Sequence, residues 1–224
     1  MGAVGALATA GGYAWQIEPF WVEFVKINMP VKNLPDSLVG KTIMQISDLH
    51  IGDEVDTQFI IQALLKAQAY QPHFVVYTGD FVNGTDPVIR YNQLQQVLQH
   101  TVHGSVGTMG ILGNHDYGMN WTLQKVAEKV THMATQAGIT MLRNQNAQIQ
   151  GINFIGIDDY WGPNFNPAQA MSHYNPAIAN LVLCHNPDVC DLDVWNGYTG
   201  WILAGHTHGG QCKPPFLPPP ILPI

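Results

Sequence analysis

The sequence predicts an α/β fold. Short apolar runs of strand length recur along the chain, and amphipathic helical patterns lie between them. The chain has 224 residues, of which 46% are hydrophobic and only 11% are charged, so it can bury a core of good size. One domain accounts for the whole pattern, and we place it at residues 18–224.

The predicted elements follow from these patterns in order. A first strand is expected at residues 21–29, before a connection at residues 30–40. The later strands are expected at residues 42–47, 74–78, 109–112, 152–157, 181–184 and 201–204. Two helices are predicted, at residues 57–70 and 122–137, and Gly138 is the expected stop of the second. The first helix carries one apolar stripe, formed by Ile60, Ile61, Leu64, Leu65 and Ala67.

The charge balance excludes one broad class of function. Sixteen acidic residues stand against nine basic ones, which gives a net charge of −7, and Arg90 and Arg143 are the only arginines. A general nucleic-acid binder needs clustered Lys and Arg to hold phosphate backbones, and this chain lacks them. The unusual count is histidine, because there are ten of them, more than the lysines.

The two ends of the chain have a biased composition. Residues 1–17 hold no charged side chain and are rich in Ala and Gly, with the small-residue pattern Ala8-Thr9-Ala10. We expect them to be a truncated export or anchor segment, with a frayed small-residue terminus as the alternative. Residues 213–224 are rich in proline, which favours a loop or an extended tail. The three cysteines form no CxxC pair, which favours buried free thiols over a disulfide.

Residues of the kind that bind metals follow five of the apolar runs. The five blocks are Asp48-Leu49-His50, Gly79-Asp80, Gly113-Asn114-His115-Asp116, His185-Asn186-Pro187-Asp188 and Gly205-His206-Thr207-His208. Ligands of open α/β sheets collect at the carboxyl ends of strands, so five such ends predict one convergent site. A lone histidine at a strand end is more often structural, but the five blocks together, in this order, outweigh that interpretation.

The donor types predict a pair of metal ions. The candidate ligands supply carboxylate, imidazole and amide oxygen, and they are Asp48, His50, Asp80, Asn114, His185, His206 and His208. This mixture suits Mn, Fe, Zn, Ni or Co better than an all-oxygen Ca or Mg cage. Seven ligands are too many for one tetrahedral ion and fit two. Two ions can clamp the attacking and leaving oxygens of an in-line phosphoryl displacement.

The five blocks resemble the signature of the calcineurin-like metallophosphoesterases, which runs DxH, GDxx(D/N), GNH(D/E), a lone H and GHxH. Four short sequence segments make the resemblance more specific, at residues 47–52, 156–159, 185–188 and 205–211. They resemble the bacterial YkuE/YaeI-type branch, which is similar to membrane-associated UDP-2,3-diacylglucosamine pyrophosphatases. The resemblance covers most of the chain.

This resemblance implies a fold, a cofactor and a division of the ligands. The implied fold is a four-layer α/β/β/α sandwich, and because the strands that normally follow the GHxH block are missing, we expect its C-terminal part to be incomplete. The implied cofactor is two divalent metal ions, with Mn favoured. One ion would be held by Asp48, His50, Asp80 and His208, and the other by Asp80, Asn114, His185 and His206.

The expected reaction is hydrolysis by a hydroxide that bridges the two ions and attacks phosphorus in line. We expect three residues of the third block to be catalytic. His115 would give a proton to the leaving oxygen, and Asp116 would orient the His115 ring. Asn114 would bind metal and also contact the phosphoryl group.

The expected substrate is a phosphodiester or a pyrophosphate, either small or lipid-linked. Asn83 stands where purple acid phosphatases have a tyrosine, which does not favour that class of enzyme. Residues 83–85 lack the D-R-G clamp of protein phosphatases, which favours a diester or a pyrophosphate over a phosphoprotein as substrate. The alternatives are a phosphomonoesterase and a non-catalytic binding scaffold of the same fold. The N-terminal segment predicts association with a membrane and a place in the cell envelope, whereas the oligomeric state is not predicted.

Five aromatic residues leave two interpretations open. They could form an apolar lip for a lipid or a nucleobase, or they could pack in the core, which is favoured. These residues are Tyr160, Trp161, Phe165, Trp195 and Trp201.

Overall fold

The computed structural model describes residues 21–52, 55–83 and 87–208, with the backbone alone at residues 87–89. The predicted export or anchor segment at residues 1–17 and the proline-rich residues 213–224 lie outside these ranges. Within the described ranges, no helix is both long and apolar enough to cross a bilayer. Cys184 is a buried free thiol and Cys190 is an exposed one.

The strands of the described ranges form two sheets. The first sheet contains β1 (Ile43–Ile46), β2 (Phe74–Thr78), β3 (Gly107–Ile111) and β4 (Thr140–Met141) in that order, and it is parallel throughout. The second sheet contains β5 (Gln145–Ile149), β6 (Ile152–Gly156), β7 (Ala179–Leu183) and β8 (Ile202–Leu203) in that order. There β5 and β6 are antiparallel and the other pairs are parallel.

The helices are α1 (Thr57–Gln68), α2 (Pro87–Leu98), α3 (Gln124–Gln136) and α4 (Pro167–Met171). The predicted stop of α3 is confirmed, since Gly138 follows the helix with a φ of 85°, which glycine adopts without strain. The apolar stripe of α1 is also buried as predicted, with the exception of Leu65, which is exposed.

Alternate strand positions divide between three apolar cores. On β2, Tyr77 lies in the core that also takes side chains from α1, α2 and α3, whereas Val76 lies in the core between the two sheets. On β7, Leu181 lies between the sheets and Val182 lies in the third core, which contains Met171 of α4. Because strand side chains alternate between faces, this division produces helices, sheet, sheet and an outer helical layer. The predicted four-layer α/β/β/α sandwich is confirmed.

Several local features differ from the sequence predictions, and β4 and α4 are among the elements that the sequence does not predict. Residues 21–29 form no strand, and Trp21, Val25 and Ile27 are exposed because no sheet face covers them. The sequence predictions do not include α2, five of whose twelve residues are polar, although the helix buries Leu94 and Val97 in the core shared with α1 and α3. They do not include β5 either, because three of the five residues of this edge strand are polar and the strand is held by pairing with β6.

Hydrogen bonds join the two sheets where their strands end. The Gln45 side chain on β1 donates to the Ala204 carbonyl (2.7 Å) after β8 and to the Thr78 hydroxyl (3.0 Å) on β2. The Asp48 carboxylate accepts the backbone N–H of His206 at 3.0 and 3.1 Å. These bonds bring the loops that follow the parallel strands of both sheets to one place.

Candidate metal centre

A first group of donor atoms lies between the loop after β1 and the loop after β8. His50 Nε2 is 3.0 Å from His208 Nε2, and His208 Nε2 is 3.3 Å from Asp48 Oδ1. The three side chains offer one carboxylate oxygen and two imidazole nitrogens within 4.8 Å of one another. A cavity of about 440 Å³ opens beside them, lined by Asp48, His208 and the backbone around Gly205.

A second group lies deeper, where β2, β3 and β7 end. His185 Nε2 is 3.1 Å from Asp80 Oδ2, and His206 belongs to the same cluster of donor atoms. His206 Nδ1 is 3.2 Å from the Asn114 side-chain oxygen, which adds an amide to the group. All four side chains are buried.

Asp80 connects the two groups. Its Oδ2 is 3.1 Å from His185 in the second group and 3.5 Å from His50 in the first, while its Oδ1 accepts the backbone N–H of His115 at 2.9 Å. One carboxylate thus faces both sets of imidazoles. The structure brings all seven predicted ligands together, and Asp80 lies in the middle of them.

The backbone is unusual at these residues. Asp48, His50, Asp80, His206 and His208 all have φ between 44° and 70°, in the left-handed region. Asp, Asn and His tolerate this region better than most residues, but it remains uncommon and strained outside glycine. Such strain concentrates at functional sites, where the surrounding fold holds the backbone in place.

The donor set fits metal ions, as His185 illustrates. Its Nδ1 is 2.7 Å from the Thr78 carbonyl, which can only accept, so Nδ1 carries the proton. Its Nε2 is buried and makes no hydrogen bond of acceptable geometry, although it faces Asp80 at 3.1 Å. A lone pair aimed at a carboxylate oxygen needs a cation between them, and a neutral imidazole with its other nitrogen bonded to a carbonyl is a common metal ligand.

The electrostatics of the protein without metal agree with this interpretation. Burial would lower the pKa of His185, but the Asp80 charge outweighs it and raises that pKa to about 10, so the imidazole is protonated when no metal is bound. Burial would likewise raise the pKa of Asp48 and Asp80, but the neighbouring histidines hold both pKa values below the usual range. Metal binding would displace these protons.

His115 lies at the edge of the cluster, and its surroundings correct one prediction. Its Nδ1 is 3.1 Å from the Asn83 side-chain oxygen, so Asn83 orients the ring. Both Asp116 oxygens instead accept backbone N–H groups, from Val82 at 3.1 Å and from Gly113 at 2.9 Å. The expectation that Asp116 orients the ring is therefore wrong, because this buried carboxylate ties two loops together. A ring nitrogen of His115 also lies within 4.8 Å of the donor atoms of His50 and Asp80.

Two tryptophans beside the site complete its wall. Trp161 lies with its ring centroid 4.7 Å from that of His206, and it stacks on Trp121. Tyr160, Phe165 and Trp195 pack against the outer core of the second sheet, and Trp201 packs between the sheets, so core packing is confirmed for these four. The GDxx(D/N) block ends at Asn83, but it does not predict the contact of Asn83 with His115. No pattern in the sequence marks Trp121 as a neighbour of the site.

Comparison with known proteins agrees with the fold and with the donor set. The family model described as Calcineurin-like phosphoesterase matches residues 41–210. The chain is 28% identical over 228 residues to the uncharacterized metallophosphoesterase YkuE of Bacillus subtilis, covering 99% of this chain and 77% of YkuE. It is 27% identical over 230 residues to the phosphodiesterase YaeI of Escherichia coli, covering 98% and 78%. It is 26% identical over 251 residues to the UDP-2,3-diacylglucosamine pyrophosphatase LpxG of Chlamydia trachomatis, covering 91% and 74%.

Proposed function

The chain belongs to the calcineurin-like phosphoesterase family, and from that premise we propose that it is a metal-dependent hydrolase of phosphodiester or pyrophosphate bonds. The observation that carries the proposal is the position of Asp80, whose carboxylate faces His185 on one side and His50 on the other. A carboxylate shared by two imidazole groups is suited to hold two divalent ions a few ångströms apart, which is the arrangement used for in-line phosphoryl displacement. We propose Mn as the favoured metal.

The residues divide into ligands and proton donors. One ion is assigned to Asp48, His50, Asp80 and His208, and the other to Asp80, Asn114, His185 and His206. When bound, the two ions would activate water and neutralise the charge of the phosphoryl oxygens.

His115 is assigned as the proton donor to the leaving oxygen. With Nδ1 held by Asn83, Nε2 is the ring nitrogen left to give that proton. Asn114 is assigned a double role, because its oxygen can bind an ion while its amide N–H donates to the phosphoryl group. Asp116 stabilises the loop that carries Asn114 and His115, because its carboxylate accepts the backbone N–H of Gly113.

The proposal extends to the substrate and the cellular location. The names of YaeI and LpxG support a diester and a lipid-linked pyrophosphate, respectively, as substrate classes. Trp21, Val25 and Ile27 are exposed just after the predicted anchor segment, which supports contact with a membrane in the cell envelope. We expect hydrolysis of UDP-2,3-diacylglucosamine to exceed that of a simple diester, and equal or lower rates would contradict a lipid-linked substrate.

The activity itself is tested with bis-p-nitrophenyl phosphate, assayed with and without Mn, beside the monoester p-nitrophenyl phosphate. We expect hydrolysis of the diester that depends on the metal and is faster than that of the monoester. Asp80→Asn keeps the shape of the side chain and removes its charge, so it should lower kcat/KM by roughly 100-fold or more. Asp36→Asn, on the exposed turn before β1, is the matched control and should leave kcat/KM unchanged.

The outcomes separate this proposal from its alternatives. A folded protein that binds Mn and hydrolyses neither ester would be the binding scaffold. Faster hydrolysis of the monoester would assign a phosphomonoesterase. Full activity of Asp80→Asn would overturn the assignment of Asp80 as the shared ligand.

A further inference from the structure

Two stacked tryptophans lie between the candidate proton donor and the second group of metal ligands, with Trp121 near His115 and Trp161 near His206. The rings of Trp121 and Trp161 are nearly parallel, with centroids 4.7 Å apart and an angle of 20° between their planes. The ring planes of Trp121 and His115 lie at 63° with centroids 6.5 Å apart, and those of Trp161 and His206 lie at 80° with centroids 4.7 Å apart. Both rings are only partly buried.

One buried network holds the two loops that carry these rings. Tyr117 belongs to the loop of Trp121, and its hydroxyl donates to Asp158 (2.7 Å), which precedes Trp161. Arg143 donates to Asp158 (2.9 Å) and to the Tyr117 hydroxyl (2.9 Å), closing a triangle of hydrogen bonds. Burying this charge pair costs desolvation free energy. That cost is offset by these hydrogen bonds and by the contact of Arg143 with the ring of Tyr117. The loops are therefore fixed relative to each other.

The turns next to the rings are specified as well. The Asp159 carboxylate, which is fully buried, accepts the backbone N–H of Trp161 at 2.9 Å. Gly162 lies so close to Tyr117 that an added Cβ would be 2.8 Å from the tyrosine ring. Both contacts hold the loop of Trp161 down on the loop of Trp121.

The backbone at Trp121 is strained. Trp121 has a φ of 57° and Asn120 a φ of 55°, and a bulky side chain in the left-handed region is a rare outlier. Trp121 also packs against the first apolar core, so part of its surface is held by the fold and part remains accessible. The ring is held beside His115, and strained backbone of this kind concentrates at functional sites.

We propose that the Trp121–Trp161 pair is a stacking platform for a flat ring carried by the leaving group, such as a nucleobase. The proposal rests on the proposed function, since His115 gives its proton to the leaving oxygen, and the group attached to that oxygen then lies beside Trp121. Indole rings bind flat π-systems of any base without reading hydrogen bonds, so the platform selects a ring rather than one base. The whole chain holds only nine Lys and Arg residues, and stacking contributes binding free energy that does not depend on them.

The test is a pair of diesters that differ only in the leaving group, which is a uridine joined through its 5′ oxygen in one and the same ribose without a base in the other. The leaving alcohol is chemically equivalent in both, so a difference in kcat/KM reports contact with the base. Stacking contributes about 1–3 kcal/mol per base, which corresponds to a preference of about 5- to 150-fold for the uridine ester, expressed mainly in KM. We expect that preference to fall towards one in Trp121→Leu and in Trp161→Leu.

A matched control and conservative variants keep the result interpretable. Trp195 is a partly buried tryptophan on the outer face of the second sheet, so Trp195→Leu should keep the preference of the natural chain. Trp121→Phe and Trp161→Phe retain a flat ring and should keep most of the preference for the uridine ester. If a leucine variant loses its near-ultraviolet circular dichroism, and so its tertiary structure, the phenylalanine variant is used in its place. The platform is refuted if the natural chain shows no preference, or if all variants show the same one.

Fluorescence separates failure of the platform from failure of the proposed function. With excitation at 295 nm, uridine 5′-monophosphate should quench indole emission and bind at least about fivefold more tightly than ribose 5-phosphate, which shares its phosphate. That difference should disappear in Trp121→Leu. If neither diester is hydrolysed, the hydrolase fails, yet this binding difference still supports the platform. Equal binding of the two phosphates would overturn it.

Discussion

The substitution Gly113→Ala tests whether the donor atoms form a site with no spare room. Gly113 follows β3 and lies against both Asp80 and His185. A Cβ added there would contact the Asp80 carboxylate oxygen and lie 2.6 Å from the Asp80 nitrogen and 2.7 Å from His185 Nε2. None of these atoms is the far end of a flexible side chain, because each is backbone or part of a buried, hydrogen-bonded side chain.

The size of the effect follows from these distances. Ordinary contacts of a Cβ begin at 3.4 Å, so His185 Nε2 must move by about 0.7 Å. Metal–ligand distances in protein sites are held within about 0.2 Å, and the required shift exceeds that tolerance several times. We therefore expect metal affinity to fall by a factor of about 10–100, and overpacking to cost about 1–3 kcal/mol of unfolding free energy.

The assay is a titration of the metal-free protein with Mn, followed by metal content after dialysis, with thermal unfolding measured in parallel. Gly107→Ala, at the start of the same strand, is the matched control, because the one atom closer than ordinary contact would be the Cδ1 end of the Ile149 side chain at 2.8 Å. That chain end can move, so Gly107→Ala should lose some stability and keep its metal affinity. Wild-type Mn affinity in Gly113→Ala would refute the reasoning.

Three further predictions concern the surroundings of the site. His115→Ala should lower kcat by roughly 100-fold or more with unchanged metal content by mass spectrometry, and loss of metal would make His115 a ligand instead. Asn83→Ala removes a hydrogen bond of about 1 kcal/mol from the His115 ring, so kcat should fall about fivefold, and an unchanged kcat would contradict that role. Burial raises the pKa of Asp159 from 3.8 to about 6, so the stability this group contributes to the metal-free protein is full below pH 3.8 and lost as the pH rises through 6. In urea unfolding, the advantage of the natural chain over Asp159→Asn should shrink by about 3 kcal/mol across that range, and a constant difference would exclude the effect.

The convergence of the donor residues could be predicted from the sequence because it depends on strand ends. An apolar run that stops at Gly79-Asp80 or at Gly113-Asn114 has a definite carboxyl end, and parallel pairing puts such ends at one edge of a sheet. The same logic holds for His185 after β7. Neither the order of the strands nor the split into two sheets is needed for this prediction, which is why it succeeds without them.

The partners of His115 could not be predicted, because they depend on how loops meet. Asp116 is adjacent to His115 in the chain, yet a residue at i+1 in a 3₁₀ turn points elsewhere, and its carboxylate is taken by backbone groups of two loops. Asn83 reaches the ring from the loop after β2, and Trp121 from a strained turn. Sequence spacing carries no information on contacts between loops of this kind.

The elements without a sequence signal share a physical cause. α2 and β5 are stabilised by what they pack against or pair with, since Leu94 and Val97 complete a core made by other helices and β5 completes the ladder of β6. The reverse holds for residues 21–29, where β-branched residues such as Val25 favour a strand and no neighbouring strand pairs with them. Local preference decides an element only where the tertiary structure supplies a partner.

The strained backbone of the ligands bears on when the site forms. Five ligands in the left-handed region cost on the order of 1 kcal/mol each, a cost that the fold must offset before any ion binds. The offset is visible in the backbone hydrogen bonds from Asp48 N–H to the Gly79 carbonyl and from His50 N–H to the Asp80 carbonyl, both 3.0 Å long. A third bond, from Gly205 N–H to the His185 carbonyl at 3.0 Å, joins the corresponding loops of the second sheet. These bonds involve only the chain itself, so folding fixes the backbone of the site without metal. The metal ions then bind to ligands that are already in position and displace protons from them.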